Sequence, residues 1–209
     1  MILLELHYLP PVSWMATAWQ NEQIELEAQE HFQKGSYRNR CHIAGPNGVQ
    51  RLSIPLFKGK HQQTAIREVR ISYDEAWQRL HWRSIMAAYG SAPYFEHYAA
   101  GLERFYTQNF PFLFDFNFEL LHWVCAKINC KTEFLFSETF RPYNVQMPGD
   151  YRGEIRPNQE TRPEWFMPAP YSQVFAERHG FLEDLSVLDL LFCCGKRSGE
   201  ILSASFNPV

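Results

Sequence analysis

The sequence predicts an α/β fold: one domain over residues 1–209, in which an N-terminal βαβ-like unit and a hairpin precede a mainly helical half packed on a mixed sheet. Three observations predict it. Apolar runs of strand length, Ile2–Leu9 and Ile24–Ala28, flank a stretch whose apolar residues recur at helical spacing. Gly45-Pro46-Asn47-Gly48 places a turn signal between two strand-like segments. From Tyr73 onward the apolar period becomes helical, broken by the proline-rich stretch Arg141–Pro170, a length of irregular chain that is usually functional or disordered.

Each element has its own reason. Ile2–Leu9 ends at Pro10-Pro11, and proline is tolerated at a first helical position because the N–H it lacks would be unpaired there. Val12, Met15, Ala16 and Trp19 then predict a helix over Val12–Gln20, and Ile24–Ala28 completes strand, helix, strand. Cys41–Ala44 and Val49–Leu56 form the hairpin, Lys58–Thr64 is a polar loop, and Ala65–Ser72 alternates apolar with charged residues as a further strand would. Tyr73–Tyr89 is expected as a helix capped by Asp74 and ended by Gly90. A second helix runs from Pro93 to Tyr106, a loop from Asn109 to Phe116, a third helix from Asn117 to Ile128 and a strand from Thr132 to Phe136. Tyr171–His179 and Leu185–Phe192 are expected as helices, the latter capped by Asp184 or Ser186 and stopped by Gly195, with the last residues extended over the surface.

Composition excludes several function classes. Hydrophobic residues at 45% and aromatics at 16% argue for a folded interior. Twenty Lys and Arg against 23 Asp and Glu give no general attraction to nucleic acid or an anionic membrane, so neither is expected as a partner. No apolar run approaches the ~20 residues that span a bilayer. Met1–Pro10 carries Glu5 and His7 and no basic leader, so the protein is expected to be cytoplasmic and not transmembrane. Five cysteines at irregular spacing fit a reducing compartment, and none forms a zinc-type pair, so neither metal nor other cofactor is expected. The sequence carries no signal for an oligomeric state.

The strongest chemical clue is Gln33–His42, which holds Lys34, Arg38 and Arg40 without a carboxylate. Arg offers a planar fork to phosphate or carboxylate, and Lys a point charge. The stretch follows the second strand, near the carboxyl edge of the sheet, where open α/β folds bind ligands. Gln33, Lys34, Tyr37, Arg38, Asn39 and Arg40 are therefore candidates for an anionic ligand. In an extended chain Tyr37 and Asn39 share one face, and Arg38 and Arg40 the other. The competing reading is a structural turn whose cations pair with Glu27, Glu30 or Asp189.

Further candidates lie elsewhere. His81 and Arg83, two apart on a helix, point about 200° apart and cannot line one pocket together. His81 is read either as a hydrogen-bonded core histidine or as a general base, and Arg83 as a ligand contact. Cys41 is a candidate thiol nucleophile, with buried packing the larger expectation. Its neighbour His42 points to the opposite strand face and cannot readily activate it, although His81 could. Asp150 and Arg152 form either a lid contact or a solvated pair. Asp189, inside an apolar helix, needs a partner, expected to be an Arg of the central stretch.

Glu30-His31-Phe32-Gln33-Lys34 and Ser36-Tyr37-Arg38-Asn39-Arg40-Cys41 carry a resemblance beyond this chemistry. With Leu9-Pro10-Pro11, Leu52-Ser53-Ile54-Pro55, His81-Trp82-Arg83-Ser84-Ile85, Asp150, Arg152, Tyr171 and Leu185–Phe192 in order, they resemble the WbqC-like protein family over nearly the whole chain. Cys193-Cys194-Gly195-Lys196 departs from the Asn-x-Gly of that pattern, and Asn158 stands where Lys is common. The resemblance implies a place in O-antigen or other surface-polysaccharide biosynthesis. The reaction it suggests is transfer of an aminoacyl (glycyl) or acyl group to an activated sugar. The expected ligand is a nucleotide-linked or lipid-linked sugar, or another anionic small molecule. The other expectation is a non-catalytic protein that binds an anionic glycan precursor and assists a partner enzyme. A fold that activates a donor with ATP ranks last, because the usual two histidines flanking a Gly are missing at Pro10–Trp14.

Overall fold

The structure is a computed structural model that describes residues 2–57, 64–143, 148–157 and 161–207. Asn158 and most of the Lys58–Thr64 loop lie outside the described residues.

In chain order the first half contains β1 (Ile2–Glu5), α1 (Val12–Trp19), β2 (Gln23–Glu27), β3 (Arg40–Gly45) and β4 (Gly48–Ser53). The second half contains α2 (Trp77–Tyr89), α3 (Phe95–Glu103), α4 (Leu113–Ile128), β5 (Glu133–Phe136), α5 (Ala176–His179), α6 (Val187–Cys194) and α7 (Ser198–Ala204). The parallel sheet has the order β1-β2-β5, with Leu4 beside Leu26 and Ile24 beside Phe134. β3 and β4 form a separate antiparallel hairpin whose tight end pairs Gly45 with Gly48. The outer edge of β1 is not bare: Leu3 N–H donates to Gly149 O at 2.8 Å, and Tyr151 N–H donates to Leu3 O at 3.0 Å. A returning segment thus covers a row of backbone groups that would otherwise invite another strand.

α1 is buried on every side from Val12 to Ala18, which suits a sequence with no charge between Val12 and Trp19. Its faces meet the sheet, α6 and α7. Trp14 Nε1 donates to Glu5 O at 3.0 Å, fixing the helix against the end of its own preceding strand. The largest core side chains are aromatic, with Tyr8, Phe105, Phe114, Phe116 and Phe192 all enclosed.

Several elements differ from the sequence expectation. Ala65–Ser72 is no strand: Ile66–Glu68 is a 3₁₀ turn, followed by isolated bridges at Arg70 and Ile71. Ile66, Val69 and Ile71 are all buried, so the apolar pattern marks a core-facing turn and mimics strand alternation. α4 starts at Leu113, not Asn117, because Leu113, Phe114 and Phe116 carry its apolar stripe into the core. Asp74 does not cap α2; its carboxylate accepts from the Ser72 hydroxyl at 2.9 Å. α3 stops at Glu103 and tightens into a 3₁₀ turn over Arg104–Tyr106. The Tyr171–His179 helix shrinks to its last turn, because Gln173 Nε2 donates to Leu182 O while Gln173 Oε1 accepts from Leu182 N–H. Of the two caps considered for α6, Ser186 is the one whose side chain accepts from Leu188 N–H.

The last residues are not an extension. After α6, Gly195 adopts φ +57°, and a Cβ there would lie 2.7 Å from the ring of Tyr94. That turn releases α7, which packs on α1 with Leu202 buried and Gly199 pressed against the Trp19 indole.

Candidate functional site

The carboxyl ends of β1 and β2 carry Glu5 and Glu27, with Glu30 just beyond. Two guanidinium groups answer them. Arg38 donates through Nε and Nη2 to Glu30 at 2.6 and 2.5 Å and stands 3.8 Å from Glu5. Arg152 donates to both oxygens of Asp150 at 2.8 and 2.6 Å and to Glu27 at 2.7 Å. Glu5 also accepts from Gly153 N–H, and Glu27 from the Ser137 hydroxyl. Burial raises the Glu5 carboxyl, but the Arg38 charge and the His7 hydrogen bond outweigh it and hold Glu5 at about 2. For Glu30 the balance reverses, and burial with the nearby Glu5 and Glu27 lifts it despite Arg38.

This arrangement corrects the reading of Arg38 as a solvent-facing ligand arm. Arg38 is only 1% exposed, and its fork is filled by Glu30, one of the acids the competing reading offered. The physical reason is local. Ser36 caps a 3₁₀ turn over Tyr37–Asn39, so the stretch is not extended and its side chains do not sort into two faces. Tyr37 and Arg38 both turn inward, and Asn39 Nδ2 donates to Ile54 O at 2.9 Å. Arg40 is half-buried at the start of β3, its charge disfavoured by burial and by Arg51. Gln33 and Lys34 are exposed. Asp150 and Arg152 are neither a lid contact nor a solvated pair: both are buried, and they brace the strand ends.

Gln33 joins Glu30, Arg38, Tyr143, Arg152 and Arg156 around a crevice of about 90 Å³, below the size of a site for a drug-sized ligand.

His81 and Cys41 are both buried. His81 Nδ1 accepts from the Tyr8 hydroxyl at 3.0 Å, and Nε2 lies 3.2 Å from Ser53 O. Tyr8 also bonds Tyr106 at 2.8 Å, and Cys41 is fully enclosed. Burial lowers His81 to about 4 and pushes the Cys41 thiol well up. With both ring nitrogens occupied and both residues buried, His81 has the environment of a hydrogen-bonded core histidine and Cys41 that of a packed thiol. Arg83 points away into solvent. Asp189 is also corrected: its partners are the Tyr171 hydroxyl at 2.8 Å and Gln173 Nε2 at 3.0 Å, not an arginine.

A larger cleft opens on the other side of Tyr37. It measures about 560 Å³, and its walls include Tyr37, His42, Arg156, Arg162 and Asp184. Asp184 is held from the N-terminus of α1: Ser13 donates its N–H at 2.7 Å and its hydroxyl at 2.9 Å. Burial lifts the Asp184 carboxyl to about 6, against those two bonds. Its backbone is left-handed at φ +53°, a conformation costly for a residue with a Cβ. Leu9 is left-handed too, and the two loops cross-brace through Val12 N–H to Leu185 O and Val187 N–H to Pro10 O. Across the cleft His42 Nδ1 lies 3.3 Å from the Tyr37 hydroxyl, its basicity lowered by burial and by Arg40 and Arg51.

The cleft therefore offers an imidazole, a phenol and a carboxyl raised to about 6, beside two guanidinium groups. Arg162 is paired with Glu183 at 3.1 Å, and Arg156 bonds Gly153 O. The sequence reading placed Asp184 only as a cap for the following helix, and set His42 aside. Neither periodicity nor spacing signals a carboxylate that caps a helix 171 residues earlier. Among the described residues no three His, Cys, Asp or Glu converge as a metal site needs, and no helix is long and apolar enough to cross a membrane.

The profile of the WbqC-like protein family matches residues 7–149. The match includes the Tyr37–His42 wall and ends before Asp150, so the blocks at Tyr171 and Leu185 and the Asp184 side of the cleft lie beyond it. No curated protein and no solved structure matches the chain. A match over well over half the sequence, containing the basic stretch and its hairpin, makes the chain a member of the WbqC-like protein family.

Proposed function

We propose that the protein is a transferase of surface-polysaccharide assembly that binds a nucleotide-linked or lipid-linked sugar in the cleft between Tyr37 and Asp184. The observation that carries this reading is the cleft itself: about 560 Å³ is room for a sugar nucleotide, and acid–base groups and guanidinium groups line the same walls. Arg156 and Arg162 hold the phosphates, with Lys34 and Arg40 adding to the field at a distance. Asp184 is the general base. A carboxyl near 6 is ionised at neutral pH and still basic enough to take a proton from an attacking amine or hydroxyl. The transferred group is an aminoacyl, such as glycyl, or another acyl group. Arg38 and Arg152 act by position: they hold the carboxyl ends of the strands on which the cleft is built.

The second reading, a non-catalytic protein that binds the same anionic precursor for a partner enzyme, is favoured by the sealing of His81 and Cys41. The two share the cleft and differ in Asp184. Titration calorimetry with nucleotide sugars separates them. Arg156→Gln is expected to weaken binding about tenfold, equivalent to about 1.4 kcal/mol. Asp184→Asn is expected to bind as the parent does and to lose product formation. Equal binding by parent and Arg156→Gln removes the cleft from consideration, and turnover that survives Asp184→Asn removes the base.

A further inference from the structure

Away from the cleft, at the opposite end of the parallel strands, α4 ends in a tight left-handed turn. Asn129 sits at φ +62°, and the N–H of Cys130 donates to the carbonyl of Cys125 at 2.9 Å. A bond spanning five residues after a left-handed residue is the mark of a Schellman turn, which brings the two side chains at its ends into contact. In most proteins an apolar pair fills those places. Here both are cysteines, so the turn sets the two side chains beside one another.

The two thiols are not equivalent. Cys125 is buried on α4, whereas Cys130 is half-buried at the turn, its sulfur 3.2 Å from Thr132 Oγ1. A groove of about 620 Å³ is walled by Asn129, Lys131 and Thr132, the residues on either side of this half-buried cysteine. The neighbouring Cys125 thiol, outweighing burial, draws the Cys130 thiol down to about 6, and Thr132 adds to this. Burial raises the other thiols: Cys41 and Cys193 well up, and Cys194 to about 11.

We propose that Cys125 and Cys130 are a reversible dithiol–disulfide couple that exchanges with low-molecular-weight disulfides such as oxidised glutathione. The Cys130 thiolate attacks one sulfur of the disulfide, forming a mixed disulfide and expelling one glutathione thiolate. Cys125 then loses its proton to water and attacks the Cys130 sulfur, forming the intramolecular bond and expelling the second glutathione. Two protein thiols are oxidised and one glutathione disulfide is reduced, so the electrons balance. The fold brings the thiols together through a backbone turn, so closure needs no rearrangement of the sheet.

The test is to incubate the folded protein with oxidised glutathione near neutral pH, quench with acid, alkylate, and map by mass spectrometry. The expected product is a Cys125–Cys130 disulfide, reversed by dithiothreitol. Cys125→Ser, which cannot resolve, is expected to hold one stable glutathione on Cys130. Cys130→Ser is expected to slow exchange at Cys125 at least about tenfold, because the low-pKa thiol is gone. Faster modification of Cys193 or Cys194 than of Cys130, or accumulation of the mixed disulfide without closure in the parent protein, overturns the proposal. Circular dichroism of each variant guards against misfolding. The outcome is independent of ligand binding in the cleft.

Discussion

Ser13 donates both its backbone N–H and its hydroxyl to the carboxylate of Asp184, at 2.7 and 2.9 Å, so the first turn of α1 is capped by a residue from the far end of the chain. The dipole and unpaired N–H groups that would welcome a phosphate at this helix end are already answered by an internal acid. A nucleotide held there, as in ATP-activating folds, would have to displace Asp184. This gives the ATP reading a structural reason to rank last.

The same pair yields a pH prediction. Asp184 is raised from an ordinary value of 3.8 to about 6, so its contribution to stability is complete below 3.8 and is lost as pH rises through about 6. Asp184→Asn keeps an oxygen for the Ser13 N–H and does not titrate. Denaturant melts of parent and variant between those limits are expected to diverge, the parent losing stability relative to the variant as pH rises. Parallel curves would remove the shift.

His81 works in the opposite sense. Burial lowers it from 6.5 to about 4, so its contribution is present above 6.5 and lost as pH falls through about 4. A shift of that size is on the order of 3 kcal/mol. Over the same acid range His81 and Asp184 therefore offset one another, and the parent is expected to show a flatter stability profile than either variant. His81→Gln, measured by urea unfolding, is expected to show less acid loss than the parent.

Arg38 is predicted to matter for folding more than for affinity. Arg38→Ala strands Glu30 and Glu5 in the interior, which costs about 3–5 kcal/mol, as breaking a buried pair does. Adding Glu30→Gln to an Arg38→Met background is expected to recover part of that loss, because one uncompensated charge is removed. Chemical denaturation of the four proteins in this cycle gives a coupling energy, and a value near zero would mean the bidentate pair contributes nothing.

Gly199 tests the closing helix. A Cβ there would lie 2.5 Å from the indole of Trp19, so Gly199→Ala is expected to cost about 1–3 kcal/mol by overpacking and to raise the accessibility of Trp19 to acrylamide quenching. An unchanged melting temperature would show that α7 is loosely held.

The parallel βαβ unit, the hairpin and most helices were legible because their signals are local: apolar period, Pro at a helix start, Asn-Gly at a turn. α4 began early and Ala65–Ser72 folded as a turn because burial of Phe114, Ile66 and Val69 overrode alternation. The basic stretch was correctly marked as chemically unusual, but its direction was not legible. Whether Arg38 faces water depends on Glu30 and Glu5 converging on it, and Glu5 is delivered by another strand. The place of Asp184 in the cleft was illegible for the same reason, since the partner that makes it unusual is Ser13.

The pairing of Leu3 with Gly149 and Tyr151 bears on how the molecule is born. During synthesis the first strand leaves the ribosome long before the segment that seals its edge, and α1 long before the acid that caps it. Until then the nascent β1–α1–β2 unit has an open edge, a state prone to mispairing. Such a chain gains from a holding chaperone until the segment from Gly149 to Asp184 has emerged.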